Sequence, residues 1–183
     1  MGPFYLLIAI AVLIAFYLIS IYNQFATLGN KVDEAFATMD VYLKKRYDLI
    51  PNLVETVKGY AKHESETLEN VVSARNKALS SATPADKAAA EKEFAGTLSR
   101  LLALTEAYPD LKANQNFLSL QSELVDTENK IQSARRFYNN VAKDYNILIE
   151  SIPTNIFAKL FNHQKKPLLE ISIEEAKNIN VKF

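Results

Sequence analysis

The apolar residues change rhythm along this chain, and each rhythm predicts a different element. From Phe4 to Tyr22 every residue is apolar or aromatic except Ser20, and no charged side chain occurs before Lys31. A helix crossing the ~30 Å hydrocarbon core of a bilayer needs about 20 such residues, so a transmembrane span is expected here. Ser20 can return its hydroxyl bond to the preceding turn, and Pro3 lies at the start, where a missing N–H costs nothing. Tyr5 near one end, and Tyr17 and Tyr22 near the other, are placed as interfacial anchors. A cleaved signal peptide fits poorly: the basic n-region is missing, the apolar run is too long, and no small-x-small site ends it. A buried soluble helix is disfavoured because the stretch is apolar on every face.

Beyond the span the apolar positions step alternately by three and four. Phe25, Leu28, Val32, Ala35, Met39, Tyr42, Leu49, Leu53, Thr56 and Tyr60 follow this pattern, with Arg46 occupying one slot. A second ridge, Phe36, Leu43, Ile50 and Val57, runs beside it at steps of seven. Two adjacent ridges form a stripe wide enough for a helix bundle rather than a two-stranded seam. On the other face Asp40, Lys44 and Asp48 are spaced as an i, i+4 ladder. Pro51 lies inside the pattern without shifting its phase, which predicts a kink or local restart, not an end. No Gly-Pro cluster separates Tyr22 from Asn30, so the span is expected to grow directly into this helix.

Between Gly59 and Glu64 the pattern weakens, then resumes with Leu68, Val71, Val72 and Leu79; a second helix and a bent continuation both fit. Ser80 to Thr83 reads as a loop, in which Thr83 caps a helix with Pro84 first and Asp86 three residues past the cap. That helix carries Phe94, Leu98, Leu101 and Leu102 and is expected to end near Tyr108, before Pro109. The last long helix starts near Asn114. Phe117, Leu120, Leu124, Thr127, Ile131, Ala134, Tyr138, Val141, Tyr145 and Leu148 alternate threes and fours without a slip. Pro153 stops it, a short segment 155–161 follows, and the tail from Lys165 has one weak helical patch, Glu174 to Lys177.

The expected fold is therefore all-α: a single N-terminal transmembrane helix continuing into an antiparallel, four-helix bundle. The anchor covers 1–22, the bundle 23–162 and a C-terminal tail 163–183. If four helices alternate in direction, the last returns toward the membrane. Ile156, Phe157, Leu160 and Phe161, with Lys159, Lys165 and Lys166, then either touch headgroups or simply close the end of the bundle, with closure the default expectation.

Charge refines the picture. The chain has 21 basic and 21 acidic residues among 183, and this neutral balance argues against a dedicated nucleic-acid binder. The expected partners are the lipid bilayer, further copies of the chain in a homo-oligomer, and proteins not identifiable from sequence, with no nucleic acid. Lys31, Lys44, Lys45 and Arg46 follow the span while no Lys or Arg precedes it, so the positive-inside rule puts the helical domain in the cytoplasm, with a short N-terminus outside.

Candidate chemistry is sparse. With no cysteine, disulfide scaffolds, thiolate metal sites and a thiol nucleophile are excluded. A di-iron bundle needs Glu-x-x-His on two helices. Tyr60 stands three residues before His63 and Leu160 before His163, so that motif is missing, and His63-Glu64 is not followed by a second histidine at Thr67. There is no G-x-S-x-G, Gly-rich phosphate loop or dinucleotide fingerprint. No catalytic, cofactor-binding or metal-ligating residue is assigned, no cofactor is expected, and an enzyme is not expected. Glu106, Asp110 and Glu128 are read as solvating or capping helices. Consecutive helical residues point ~100° apart, so neither Lys44-Lys45-Arg46 nor Arg135-Arg136 forms one patch. Arg46 and either Arg135 or Arg136 are expected to meet Glu or Asn at the bundle's edge. Asn114, Asn116, Asn129, Asn139 and Asn146 accompany the last helix, facing either the bundle or a neighbouring subunit.

Several longer stretches carry a family resemblance. Val32-Asp33-Glu34-Ala35, the run Arg46-Tyr47-Asp48-Leu49-Ile50-Pro51-Asn52-Leu53 on to Gly59-Tyr60, Glu106-Ala107-Tyr108-Pro109-Asp110-Leu111, and Ala134-Arg135-Arg136-Phe137-Tyr138-Asn139 resemble the signature of the LemA family. The resemblance implies a bacterial membrane protein with one N-terminal span and a helical-bundle domain, and one branch of that family takes part in forming magnetosome membranes. It brings no catalytic residues. The function expected on these grounds is a non-enzymatic membrane-anchored scaffold that self-associates or organises partners. A signalling module coupling the span to the helical domain is the alternative, and an unrecognised hydrolase a distant third.

Overall fold

The computed structural model describes residues 2–81 and 83–169. The expected patch at Glu174 to Lys177 and the terminal Val181-Lys182-Phe183 lie outside the described residues. The described chain is all helix and connection: α1 (Gly2–Lys58), α2 (Ser65–Ser80), α3 (Pro84–Thr105), α4 (Pro109–Lys112), α5 (Gln115–Glu150) and α6 (Thr154–Leu160). Residues 4–20 of α1 are exposed throughout, and α1 is the one described helix long and apolar enough to cross a membrane. Pro51 sits inside α1 without ending it.

The helix limits have local causes. α1 stops at Lys58, where the N–H groups of Tyr60 and Ala61 both turn back to the Val57 carbonyl, so 59–64 is a break and α2 a separate helix. Thr83 caps α3 as its sequence predicts: its hydroxyl accepts the Asp86 N–H at 3.1 Å, and Pro84 occupies the first turn. α3 ends at Thr105, three residues short of Tyr108, and Pro109 opens the short α4 instead. Asn114 caps α5 by accepting the Phe117 N–H at 3.0 Å.

The chain divides into two compact units. One comprises residues 38–135 with 169. Within it, the end of α1, α2, α3 and the start of α5 alternate in direction. Asp40 meets Lys87 and Tyr47 meets Phe94, so α1 and α3 run in parallel. Arg46 meets Glu128 while Tyr60 meets Asn114, so α5 runs against α1. Asp48 meets Arg75 of α2, the helix between. This is an up-down-up-down four-helix bundle. Leu43, Ile50, Leu53, Phe94 and Leu101 are at most 1% exposed, and each such side chain contributes about 1.5–3 kcal/mol of burial. On α2, Ala74 and Ala78 join Leu68 and Val71 inside; Val72 and Leu79 face outward, contrary to expectation. Asp40 and Asp48 do not zip along α1 as a ladder but reach to other helices.

The second unit comprises residues 2–37 and 136–168. Here α1 and the end of α5 run antiparallel, with Phe25 against Tyr145 and Phe36 against Tyr138. Ile21, Phe25, Val32 and Ala35 of α1 are buried in this unit, as are Tyr138, Ala142 and Tyr145 of α5 and Ala158 of α6.

The buried face of α1 drifts between the two predicted ridges. Phe25, Val32, Ala35, Met39 and Leu53 of the first are buried, and farther along Leu43, Ile50 and Val57 of the second join them while Tyr42, Leu49 and Thr56 are only partly covered. The cause is helix geometry. A seven-residue repeat falls about 20° behind a 3.6-residue helix per heptad, so after five heptads the inward position comes one residue later. α5 keeps one ridge from Phe117 to Tyr145, with Leu120 partly covered and the others buried.

Candidate functional site

Two polar clusters stand out, one in each unit. The first lies inside the four-helix unit. Arg46 is 3% exposed. One terminal nitrogen donates to Glu91 Oε2 on α3 and the other to Glu128 Oε2 on α5, while the Phe94 ring lies 5.2 Å from Cζ. Tyr47, next to Arg46 and 1% exposed, donates its hydroxyl to the other oxygen of Glu91. Both oxygens of Glu91 are thus engaged. Burial first, and then the charge of Glu91, push the Tyr47 hydroxyl far above its ordinary pKa, so it remains a proton donor at physiological pH. Arg46 Nε has no hydrogen-bond partner.

The same stretch of α1 holds a backbone device. Pro51 has no N–H, which leaves the carbonyl of Tyr47, four residues earlier, without its helical donor. Arg75 of α2 supplies one, with Nε 3.1 Å from the Tyr47 carbonyl oxygen. Nearby, Lys87 of α3 pairs with Asp40. Arg46, Tyr47 and Pro51 thus organise one side of the bundle through three other helices.

The second cluster closes the other unit. α6 ends in a left-handed turn: Asn162 has φ 56°, His163 N–H bonds the Ala158 carbonyl at 2.8 Å, and Asn162 N–H bonds that of Lys159 at 3.3 Å. This paired pattern is the Schellman cap, and asparagine tolerates its left-handed position. It reverses the chain, so that the His163 ring stacks on Phe25 with centroids 4.4 Å apart and shares a hydrogen bond with the Tyr145 hydroxyl at 2.9 Å. The following strap has no secondary structure of its own and is tied to α5. The Asn146 side chain bonds both the N–H and the carbonyl of Lys166 at 2.8 Å, and Tyr138 donates to the Pro167 carbonyl at 2.9 Å. Lys166 reaches Asp33 of α1 at 3.0 Å. Replacing Asn146 by alanine should release this strap by removing both backbone bonds, about 1–3 kcal/mol in all. Amide exchange at residues 163–166 and 168 would rise while that of α2 and α3 stays unchanged; equal rates in both proteins would refute the clamp.

The sequence named Arg46 but placed it at the bundle's edge, and read Glu128 as a solvated or capping residue; the structure buries Arg46 and joins Glu128 to it. Glu106 pairs with Lys112 at 2.5 Å. Asn146 faces the strap and Asn114 caps α5 while donating to the Tyr60 hydroxyl, whereas Asn116 and Asn129 are exposed. Glu91 was missed altogether. Its signal was there: Glu91, Phe94, Leu98 and Leu101 share the three-four spacing, so an acid occupies a core slot, as Arg46 does on α1. A shallow depression beside Ser20, Asn23 and Gln24 is lined by α1 alone.

The profile described as the LemA family matches residues 35–183. The chain is 28% identical to Magnetosome protein MamQ of Magnetospirillum gryphiswaldense, over 87% of this chain and 70% of the relative. It is 26% identical to Protein LemA of Metamycoplasma hominis, over 86% and 70% of the two chains. Magnetosome protein MamQ 2 of Paramagnetospirillum magneticum is also 26% identical, over 86% and 69%.

Proposed function

The chain belongs to the LemA family of membrane-associated proteins, and from that premise we propose that it is a non-enzymatic helical scaffold, anchored in the bacterial cell membrane by α1, that self-associates or gathers protein partners there. The observation that carries this reading is how the four-helix unit distributes its side chains. Its buried acid, Glu91, has both oxygens engaged, one by Arg46 and the other by Tyr47, and Arg46 also reaches Glu128, so among the described residues Glu91 is tied up by its neighbours rather than presented to a substrate. Large apolar side chains face outward instead, Val41 at 66% and Val125 at 58% exposure. Lys31, Lys44 and Lys45 on the C-terminal side of the span favour a cytoplasmic helical domain in a single-pass topology.

The test is the state of the full chain in native membranes. After cross-linking and extraction in mild detergent, its complexes should contain several copies or reproducible companion proteins. A strict monomer that brings down nothing would overturn the proposal.

One observation favours a signalling role as second reading: α1 is unbroken from Gly2 to Lys58, so its apolar part and Arg46 lie on one helix. One residue inserted after Gly29 would rotate everything beyond by about 100°. Cells indifferent to that insertion would remove the motive for this reading.

A further inference from the structure

α6 is packed the wrong way round for a soluble protein. Its small residues, Thr154 and Ala158, are buried, while Ile156 and Leu160 on the opposite side are 63% and 73% exposed. Ile152 just before it and Phe161 just after it are also exposed, at 85% and 54%. Ile156 and Leu160, four residues apart, share one helix face, and with Ile152 and Phe161 flanking them four large apolar side chains are exposed within ten residues. If this segment merely closed the end of a bundle, as the default expectation had it, these residues would be inside and the small ones outside. A contiguous exposed apolar surface calls for a partner.

What covers it follows from where it is attached. The Phe161 ring rests edge-on against Tyr22, with centroids 6.2 Å apart, and Tyr22 ends the apolar stretch of α1. From Phe4 to Tyr22 a helix rises about 27 Å at 1.5 Å per residue, close to the ~30 Å hydrocarbon thickness. The first residue of that stretch covered by the protein itself is Ile21. Tyr22 is therefore level with the boundary between acyl chains and headgroups, and Phe161 beside it is at the same depth. His163 stacked on Phe25 fixes α6 there. Lys159 is exposed on the same helix, a cation available to lipid phosphate if α6 sits at the interface.

We propose that the segment from Ile152 to Phe161 is a foot seated in the bilayer interface, with Ile156, Leu160 and Phe161 inserted among the lipids around the exit of α1. The proposal rests on the reading that α1 crosses the membrane, and the test separates the two. The chain contains no tryptophan, so a single introduced one reports its own site. The full-length Leu160→Trp and Leu13→Trp proteins would be reconstituted into phosphatidylcholine–phosphatidylglycerol vesicles whose acyl chains carry bromine either near the carbonyls or near the bilayer centre. Leu160→Trp emission should fall about twofold with shallow bromine and less with deep bromine, as for a residue held at the interface. Leu13→Trp should be quenched most by deep bromine. If Leu13→Trp is quenched and Leu160→Trp is not, the foot is refuted while the span stands. If neither is quenched, the span itself is refuted. A blue-shifted Leu160→Trp that bromine leaves untouched would also overturn the foot, since protein rather than lipid would then cover it.

Discussion

Replacing Arg46 by alanine should destabilise the four-helix unit by about 3–5 kcal/mol, the cost of breaking a buried ion pair on one side only. The reason is what the substitution leaves behind. Glu91, 8% exposed, would be left with only the Tyr47 hydroxyl as a partner, and the cation over Phe94 would be gone. Glu128 is affected less, because its side chain is 37% exposed and water can replace the guanidinium. The companion expectation runs the other way. Arg46→Met, Tyr47→Phe and Glu91→Leu together remove the buried members at once, leaving only the part-exposed Glu128 to water, and should recover most of the loss, since well-packed apolar replacements of buried ion pairs are often neutral. Urea unfolding of the full chain in mild detergent, followed by helical circular dichroism, reads both. A loss of only about 0–1 kcal/mol for Arg46→Ala would mean a solvated surface pair and would sink the idea of a buried organising charge.

The cluster also shows what was legible in the sequence. Period and caps were: Thr83, Pro84 and Asp86 announce α3, and the unbroken threes and fours from Phe117 announce α5, because both depend on nearest neighbours along one helix. The family resemblance was likewise readable from contiguous motifs. Pairing between helices was not. Arg46 could be seen occupying an apolar slot, but which acid answers it depends on the alternation of four helices and on the rise of α3 beside α1, which no local pattern encodes. The buried stripe of α1 was predicted as two fixed ridges, whereas a 3.6-residue helix passes from one to the other over its length. Asn162 gave no periodic signal either, since a left-handed cap is a single-residue event. Yet it directs His163 back onto Phe25 and so determines where the exposed face of α6 sits.

Pro51→Ala should stabilise the protein, and by an amount that depends on Arg75. Proline inside a helix costs about 3 kcal/mol relative to alanine, partly through the carbonyl it leaves without a donor. Here that carbonyl belongs to Tyr47 and already accepts from Arg75 Nε, so part of the cost is offset and a gain of about 1–2 kcal/mol is expected. Arg75→Met in the natural background removes the substitute donor and should cost about 1–3 kcal/mol, the range for an orphaned, partly buried acceptor. In the Pro51→Ala background the alanine N–H can close the helical bond, and the same Arg75→Met change should cost less than half as much. What remains there is an exposed hydrogen bond from Arg75 to the Asn76 side chain at 3.1 Å and the loose contact with Asp48 at 4.0 Å, both of small value. The four proteins form a double-mutant cycle measurable by the same urea unfolding. An Arg75→Met cost that is equal in both backgrounds would show that the arginine does not replace the missing N–H. An unequal cost would mean that α2 is fastened to α1 at the one turn where α1 cannot bond itself, directly beside the buried Arg46 and Tyr47.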